Sequence, residues 1–173
     1  MTLFGTRNSL KARWQRATHL IVLALVTASG ARAQMLPEQP IPFDRLRSAF
    51  PEALVIAQGA TACYRLDALL ADTPTRRTRG LMFVESMADD AGMLFTYPRP
   101  ATLSIWMKNT LIPLDIIFAD ADGDIINVTR GKPLSLESMR SARPARYVLE
   151  LNAGRIEALG LDEQARLLVF EDS

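Results

Sequence analysis

The chain has 173 residues, of which 49% are hydrophobic and 23% charged, so it is long and apolar enough for one ordinary domain with a core of its own. Its 20 basic and 19 acidic residues nearly cancel. It has one histidine, His19, and one cysteine, Cys63, which excludes an intramolecular disulfide.

The first 33 residues have the composition of a secretory signal peptide. A basic start without acidic residues precedes the short apolar run LIVLALVTA at 20–28, and Ala31-Arg32-Ala33 is an A-x-A cleavage signal. The run is too short to span a bilayer. We therefore predict cleavage after Ala33 and a periplasmic or secreted protein that meets the membrane only during export.

Cleavage would change which functions are open to the protein. It removes five of the 20 basic residues and none of the 19 acidic ones, which leaves a net charge of −4 and argues against nucleic-acid binding. It also removes His19, which excludes Ser-His-Asp and Cys-His catalysis and every histidine metal site. We expect Cys63 to be buried, because free cysteine is among the most buried residue types.

The remaining chain is predicted to hold an arm and one domain. Residues 34–53 are spaced by prolines without a clear period, which favours a linker or draped arm with a short helical turn near 44–49. Residues 54–173 are predicted to form a single β-rich domain, because short β-type runs recur along them. These runs lie at 54–57, 62–71, 92–95, 103–108, 114–119, 124–129, 147–151 and 167–170.

Two short helices and one hairpin complete the prediction. One helix begins at Asp72-Thr73-Pro74 and ends at Gly80, and the other runs over 153–159 with Asn152 as its cap. Asp122-Gly123 is a two-residue hairpin turn. The fold class is therefore mainly β: a single antiparallel β-sandwich or flattened barrel of seven to eight short strands with two short helices.

Five motifs follow one another in this domain. They are Arg79-Gly80-Leu81-Met82, Gly92-Met93-Leu94-Phe95, Trp106-Met107-Lys108-Asn109-Thr110, Pro113-Leu114-Asp115 and Val148-Leu149-Glu150-Leu151. In this order they resemble the domain of unknown function 192 family over about residues 60–170. The resemblance implies a compact, sandwich-like β domain, often secreted or envelope-attached, and it implies no activity.

The strand at 103–108 ends in three polar residues, Lys108-Asn109-Thr110. Pleating places Trp106 and Lys108 on one face, where an indole beside a cation suits a sugar ring or an anionic group. The alternative is that Trp106 belongs to the core and Lys108 extends past it to solvent. Asn109 either orients a ligand or bonds its own backbone in a turn.

Two acidic residues interrupt apolar runs. Asp115 lies within 112–118 and needs a partner if it is buried, for which Lys108, Arg79 and Arg77 are candidates. The resulting pair would be functional or purely structural. Glu150 lies between two leucines, and pleating turns it to the opposite face, where we expect exposure.

Three weaker patterns have ordinary explanations. Arg76, Arg77 and Arg79 on the first helix suit either anion binding or a solvated face. The methionines lack the regular spacing of a copper site and suit an irregular core. The acidic run at 120–124 begins like a calcium loop but has glycine at its twelfth position, so a hairpin is favoured. We therefore expect no metal and no cofactor.

These observations favour a non-catalytic binding module for a small polar, carbohydrate or anionic envelope ligand. Its predicted binding residues are Arg79, Trp106, Lys108, Asn109 and Asp115. The expected partner is this ligand or an envelope component rather than nucleic acid.

Two other functions remain open. One is a glycosidase-like hydrolase in which Asp115 pairs with Glu150 or Glu85, which requires the two carboxyl groups to lie roughly 5 to 9 Å apart across a cleft. The other is an envelope protein-interaction module that makes contact through 34–53 or 131–144.

Overall fold

The computed structural model describes residues 39–171, and the predicted signal peptide lies outside them. Within this range no helix is long and apolar enough to cross a membrane. The strands are β1 (Ile41–Pro42), β2 (Glu52–Gln58), β3 (Cys63–Ala71), β4 (Val84–Ser86), β5 (Ala91–Ala101), β6 (Ser104–Ile105), β7 (Leu114–Ala119), β8 (Ile125–Gly131), β9 (Met139–Arg140), β10 (Ala145–Asn152) and β11 (Arg166–Glu171). The helices are a 3-10 helix (Phe43–Ser48), α1 (Pro74–Arg79) and α2 (Arg155–Leu159).

Seven strands form one large sheet in the order β11-β2-β3-β5-β10-β7-β8. All neighbours in it are antiparallel except β3 and β5, which run parallel because α1 and β4 carry the chain back between them. Two small pairs, β1 with β4 and β6 with β9, flank it. The mainly β prediction is confirmed, and the sheet does not close into a barrel.

The edges of the large sheet nevertheless approach each other at one end. The amide of Leu167, in β11, donates to the carbonyl of Gly123, just before β8, over 2.8 Å. Gly123 has φ +86°, and a Cβ there would lie 2.0 Å from the carbonyl oxygen of Leu167. Only glycine therefore fits the predicted hairpin turn.

Both faces of the sheet are covered, so its central strands alternate between two apolar clusters. On what we call the front face, Met93, Phe95, Ile116, Phe118 and Val148 pack together. On the back face, Leu94, Ile117, Leu149 and Leu151 pack with Ile156 and Leu159 of α2. A central strand of this kind has no solvent-exposed side.

The segment preceding β2 contributes to the front cluster. Phe43, Leu46 and Phe50 are buried there, and the 3-10 helix that carries two of them coincides with the predicted helical turn. The second half of the segment predicted as an arm is thus packed on the sheet rather than draped over it, because these three side chains remove apolar area from water.

Two local predictions are wrong. Cys63 is exposed, because the pleat of β3 turns it to the outer side with Arg65 and Asp67. Asn152 does not cap α2: the cap is Gly154, with φ +88°, and the side-chain amide of Asn152 donates to the carbonyl of Met87 over 2.8 Å.

Asp115 is a structural carboxylate on the back face. It is 2% exposed, and its Oδ1 accepts from Nε of Arg130 over 2.9 Å. Its Oδ2 accepts from the amides of Gly154 and Ile156 over 2.7 and 3.1 Å. The prediction that Asp115 pairs with Lys108, Arg79 or Arg77 is wrong, because the strand register places Arg130 directly opposite Asp115 on β8. The carboxylate ties β7 to β8 and to the start of α2.

We predict that Asp115→Ala lowers the free energy of unfolding by about 2 to 4 kcal/mol, because it leaves two buried amides without an acceptor. Arg130→Ala should lower the free energy of unfolding by much less than Asp115→Ala, since this arginine side chain is 57% exposed and the amides keep their acceptor. Urea denaturation at pH 7 measures both. The control is Asp67→Ala, which removes the exposed pair with Arg65. Equal losses of unfolding free energy in Asp67→Ala and Asp115→Ala would refute the structural role of Asp115.

Candidate functional site

A cavity of about 100 Å³ opens on the front face. Its walls come from α1 and the turn after it, from the middle of β5, from β10 and from the segment 104–110. The side chains that matter for its chemistry are those of Arg77, Tyr97, Trp106, Lys108 and Glu150.

Trp106 and Lys108 form the rim of this cavity. Leu103, Ile105 and Met107 are buried, which leaves the alternate residues facing outward, as the strand period predicts. Trp106 is 50% exposed, so the core alternative for it is wrong. Nζ of Lys108 lies 5.1 Å from the centroid of the indole ring, a cation–π contact.

Arg77 forms a fixed cationic wall. Its Nη1 donates to the carbonyls of Asp72 and Thr96 over 2.6 and 2.8 Å. Its guanidinium also lies 4.8 Å from the centroid of the Tyr97 ring. These contacts join α1 to β5 and hold the charge of Arg77 in place without neutralising it.

The other two arginines of α1 have different roles. Arg76 pairs with the carboxylate of Asp72 over 2.7 Å and donates to the carbonyl of Ala49. Arg79 donates to the carbonyl of Met82 and packs 5.4 Å from the centroid of the Phe83 ring. The cluster is therefore anchored to the fold rather than displayed as a solvated face.

Glu150 supplies a buried carboxyl group to the cavity. It lies on β10 opposite Met93 and Ile116 of the two neighbouring strands, and it is 4% exposed. Its carboxyl group makes no hydrogen bond or ion pair with any residue in 39–171. Burial raises the pKa of Glu150 to about 8, so the group is mainly protonated at neutral pH.

The neighbouring phenol is perturbed in the same direction. Burial raises the pKa of Tyr97, which Glu150 raises further and Arg77 lowers. Both groups are therefore neutral hydrogen-bond donors near pH 7, in a cavity whose permanent charges are cationic.

The expected exposure of Glu150 is wrong, and so is the carboxylate pair that a glycosidase-like hydrolase needs. Pleating does separate Glu150 from Leu149 and Leu151, but the opposite face is also covered. Asp115 points to the back face and Glu150 to the front face, so the sheet lies between them. Glu85 is exposed on β4 and does not line the cavity.

Backbone strain is concentrated beside the cavity. Within residues 39–171 three non-glycine residues have positive φ: Phe83 at 64°, Asn109 at 58° and Leu134 at 61°. The amide of Phe83 donates to the carbonyl of Asn109 over 2.8 Å, and the amide of Leu134 to that of Thr110 over 3.0 Å. Such residues cost about 1 to 3 kcal/mol each and cluster at functional sites.

Of the five predicted binding residues, Trp106 and Lys108 line the cavity, whereas Arg79, Asn109 and Asp115 do not. Asn109 is a turn residue whose side-chain nitrogen lies 3.9 Å from the sulfur of Met82. Arg77 and Glu150 were considered for other roles, and Tyr97 was missed. The signal for Glu150 was an acid in a strand whose neighbours on both faces are apolar; Tyr97 had no comparable signal.

The acidic run at 120–124 forms a turn. Oδ1 of Asp120 accepts from the amides of Asp122 and Asp124 over 3.1 and 3.0 Å, and its Oδ2 accepts from Arg143 over 2.7 Å. In the described part of the chain, no three side chains of histidine, cysteine, aspartate or glutamate are grouped to hold a metal ion.

We predict that the stability of the protein falls as pH rises from about 4.5 to 8 through Glu150, because the folded state keeps a proton that the unfolded state releases. The stability that Glu150 contributes is fully present below pH 4.5. Between pH 4.5 and 8 the free energy of unfolding falls by up to about 1.4 kcal/mol per pH unit. Urea denaturation from pH 4.5 to 9 should show Glu150→Gln gaining stability over wild type as pH rises. The pH dependence of the unfolding free energy of Glu163→Gln, an exposed control, should be parallel to that of wild type. A Glu150→Gln curve parallel to wild type would contradict the raised pKa of Glu150.

Two solved structures resemble this one. A protein from Sinorhizobium meliloti 1021, provisionally described as a transcription regulator, is 37% identical with a TM-score of 0.68, and the match covers 69% of this chain and 95% of that one. A protein of unknown function from Novosphingobium aromaticivorans DSM 12444 is 29% identical with a TM-score of 0.68, and the match covers 79% of this chain and 95% of that one. No curated protein matches the chain.

The comparison with family models agrees with the motifs. The model of the domain of unknown function 192 family (DUF192), described as "Uncharacterized ACR", matches residues 55–169. This range runs from β2 to β11 and so includes the large sheet and every residue of the cavity. The chain belongs to the DUF192 family.

Proposed function

We propose that this domain is a binding module for a small polar ligand, which it takes up in the cavity between α1 and the segment 104–110. The observation that carries the proposal is the unpartnered carboxyl group of Glu150 at the cavity wall. A ligand that enters the cavity can bond this carboxyl group, which no residue in 39–171 does.

The rim supports the same proposal. The indole of Trp106 offers an exposed stacking surface, and Lys108 has no ion pair with any residue in 39–171. Strained backbone at Phe83 and Asn109 holds the two sides of the entrance in a conformation that local preference alone does not select. An aromatic platform, a cation and a buried donor around one small space are typical of a ligand site.

Binding is favoured over carboxylate-pair hydrolysis, because the only acidic residue lining the cavity in the described part of the chain is Glu150. A single carboxyl group can orient a ligand, whereas glycoside hydrolysis uses two carboxyl groups that flank the scissile bond.

We place this activity in the periplasm or outside the cell, on the strength of the signal-peptide pattern at residues 1–33. The relative described as a transcription regulator does not change this proposal. A chain with a net charge of −4 after cleavage is a poor electrostatic match for nucleic acid.

We predict that Trp106→Ala and Lys108→Ala fold as stably as wild type, within about 1 kcal/mol, because both side chains are exposed. Each should lose the rise in Tm that a panel of small sugars and organic anions causes in wild type. Thermal melts with and without each compound measure this. Phe170→Ala and Lys132→Ala are matched controls, an exposed aromatic and an exposed lysine that do not line the cavity.

Loss of stability by several kcal/mol in the Trp106 and Lys108 variants, with no compound stabilising wild type, would overturn the binding proposal. It would mean that Trp106 and Lys108 stabilise the fold rather than bind a ligand.

A further inference from the structure

We infer that the ligand of this cavity is a small organic carboxylate, held by Arg77 and Lys108 and hydrogen-bonded to the carboxyl group of Glu150. The inference rests on the proposed function and narrows it from polar ligands in general to anions. It depends on the charges that line the cavity and on the isolation of Glu150.

The permanent charges at the cavity are positive. Two backbone carbonyls accept hydrogen bonds from Nη1 of Arg77 and leave its charge intact. Lys108 touches the indole of Trp106 and no carboxylate of the described chain. The carboxylate of Asp72, which precedes α1, is engaged by Arg76 over 2.7 Å. The lining therefore carries two positive charges, and a carboxylate ligand would offset part of this charge.

Glu150 distinguishes an anion from a cation as the ligand. A neutral carboxyl group donates a short, charge-assisted O–H···O bond to a carboxylate. A cationic ligand would instead stand beside two like charges, Arg77 and Lys108, which line the same cavity and would repel it.

The arrangement makes binding depend on pH. The charged and titratable groups that line the cavity together with Glu150 are Arg77 from α1, Tyr97 from β5 and Lys108 from the segment 104–110. Burial raises the pKa of Glu150 to about 8. Carboxylate affinity should be level below this pH and fall as Glu150 loses its proton, because two carboxylates then repel each other in the cavity.

The test uses two isosteric sets of probes that differ in charge: acetate, acetamide and acetamidinium, and benzoate, benzamide and benzamidinium. Titration calorimetry of the purified full chain at pH 7 should show each carboxylate binding at least tenfold more tightly than its amide and its amidinium. The benzoate set adds a ring that can stack on Trp106. Carboxylate affinity should fall about tenfold or more between pH 7 and pH 9.5.

Two variants test the proton of Glu150 and the positive charge of Lys108 separately. Glu150→Gln should bind benzoate with an affinity that stays level between pH 7 and pH 9.5, because an amide donates at both. Lys108→Gln should weaken benzoate binding and keep the pH dependence, which provides a second reading if Glu150→Gln does not fold. Glu163→Gln should behave as wild type.

The outcomes are distinguishable. Tighter binding of an amidinium or an amide than of its carboxylate would overturn the inference and leave a small-ligand site in place. Carboxylate binding by wild type that does not change with pH would overturn the role of Glu150. If neither these probes nor the sugar and anion panel binds, the proposed function fails together with the inference.

Discussion

The structure depends on the burial of β5, β10 and β7 from both sides. Their side chains alternate between the front and back clusters, so all of β7, the first six residues of β5 and residues 148–151 of β10 are buried. Apolar residues make this arrangement stable, at roughly 25 cal/mol for each Å² removed from water. Any polar residue on these strands must therefore find a partner or accept a cost.

Asp115 and Glu150 show the two solutions on adjacent strands. Asp115 faces back and has three partners, Arg130 and the amides of Gly154 and Ile156, so its charge stabilises the connection between β7, β8 and α2. Glu150 faces front and has none within the described chain. The first carboxylate is fully used by the fold, and the second is available to a ligand.

The front face is covered by short segments and two small strand pairs rather than by a second large sheet. Backbone hydrogen bonds join β1 to Phe83 and Phe83 to Asn109. Such segments follow no pleat, so they leave a space at Glu150 that a regular layer would fill. Positive φ at Phe83 and Asn109 is part of forming that space.

The sequence by itself determined the local elements. Short β-type runs predicted β2, β3, β5 to β8, β10 and β11 but not the short strands β4 and β9. Pro74 and Gly80 marked the ends of α1, and Asp122-Gly123 marked the hairpin. Alternation within a run placed Trp106 and Lys108 on one face. These features depend on backbone preferences and on a period of two, which neighbouring residues alone define.

Only the tertiary structure decided which faces are covered and which residues meet. Pleating separated Glu150 from the leucines beside it, but its burial depends on segments that are distant in the chain, among them α1 and the segment 104–110. The partner of Asp115 depends on the register of β7 against β8, and the role of Arg77 on the packing of α1 against β5. Periodicity describes the sides of a strand, whereas burial is a property of everything packed against them.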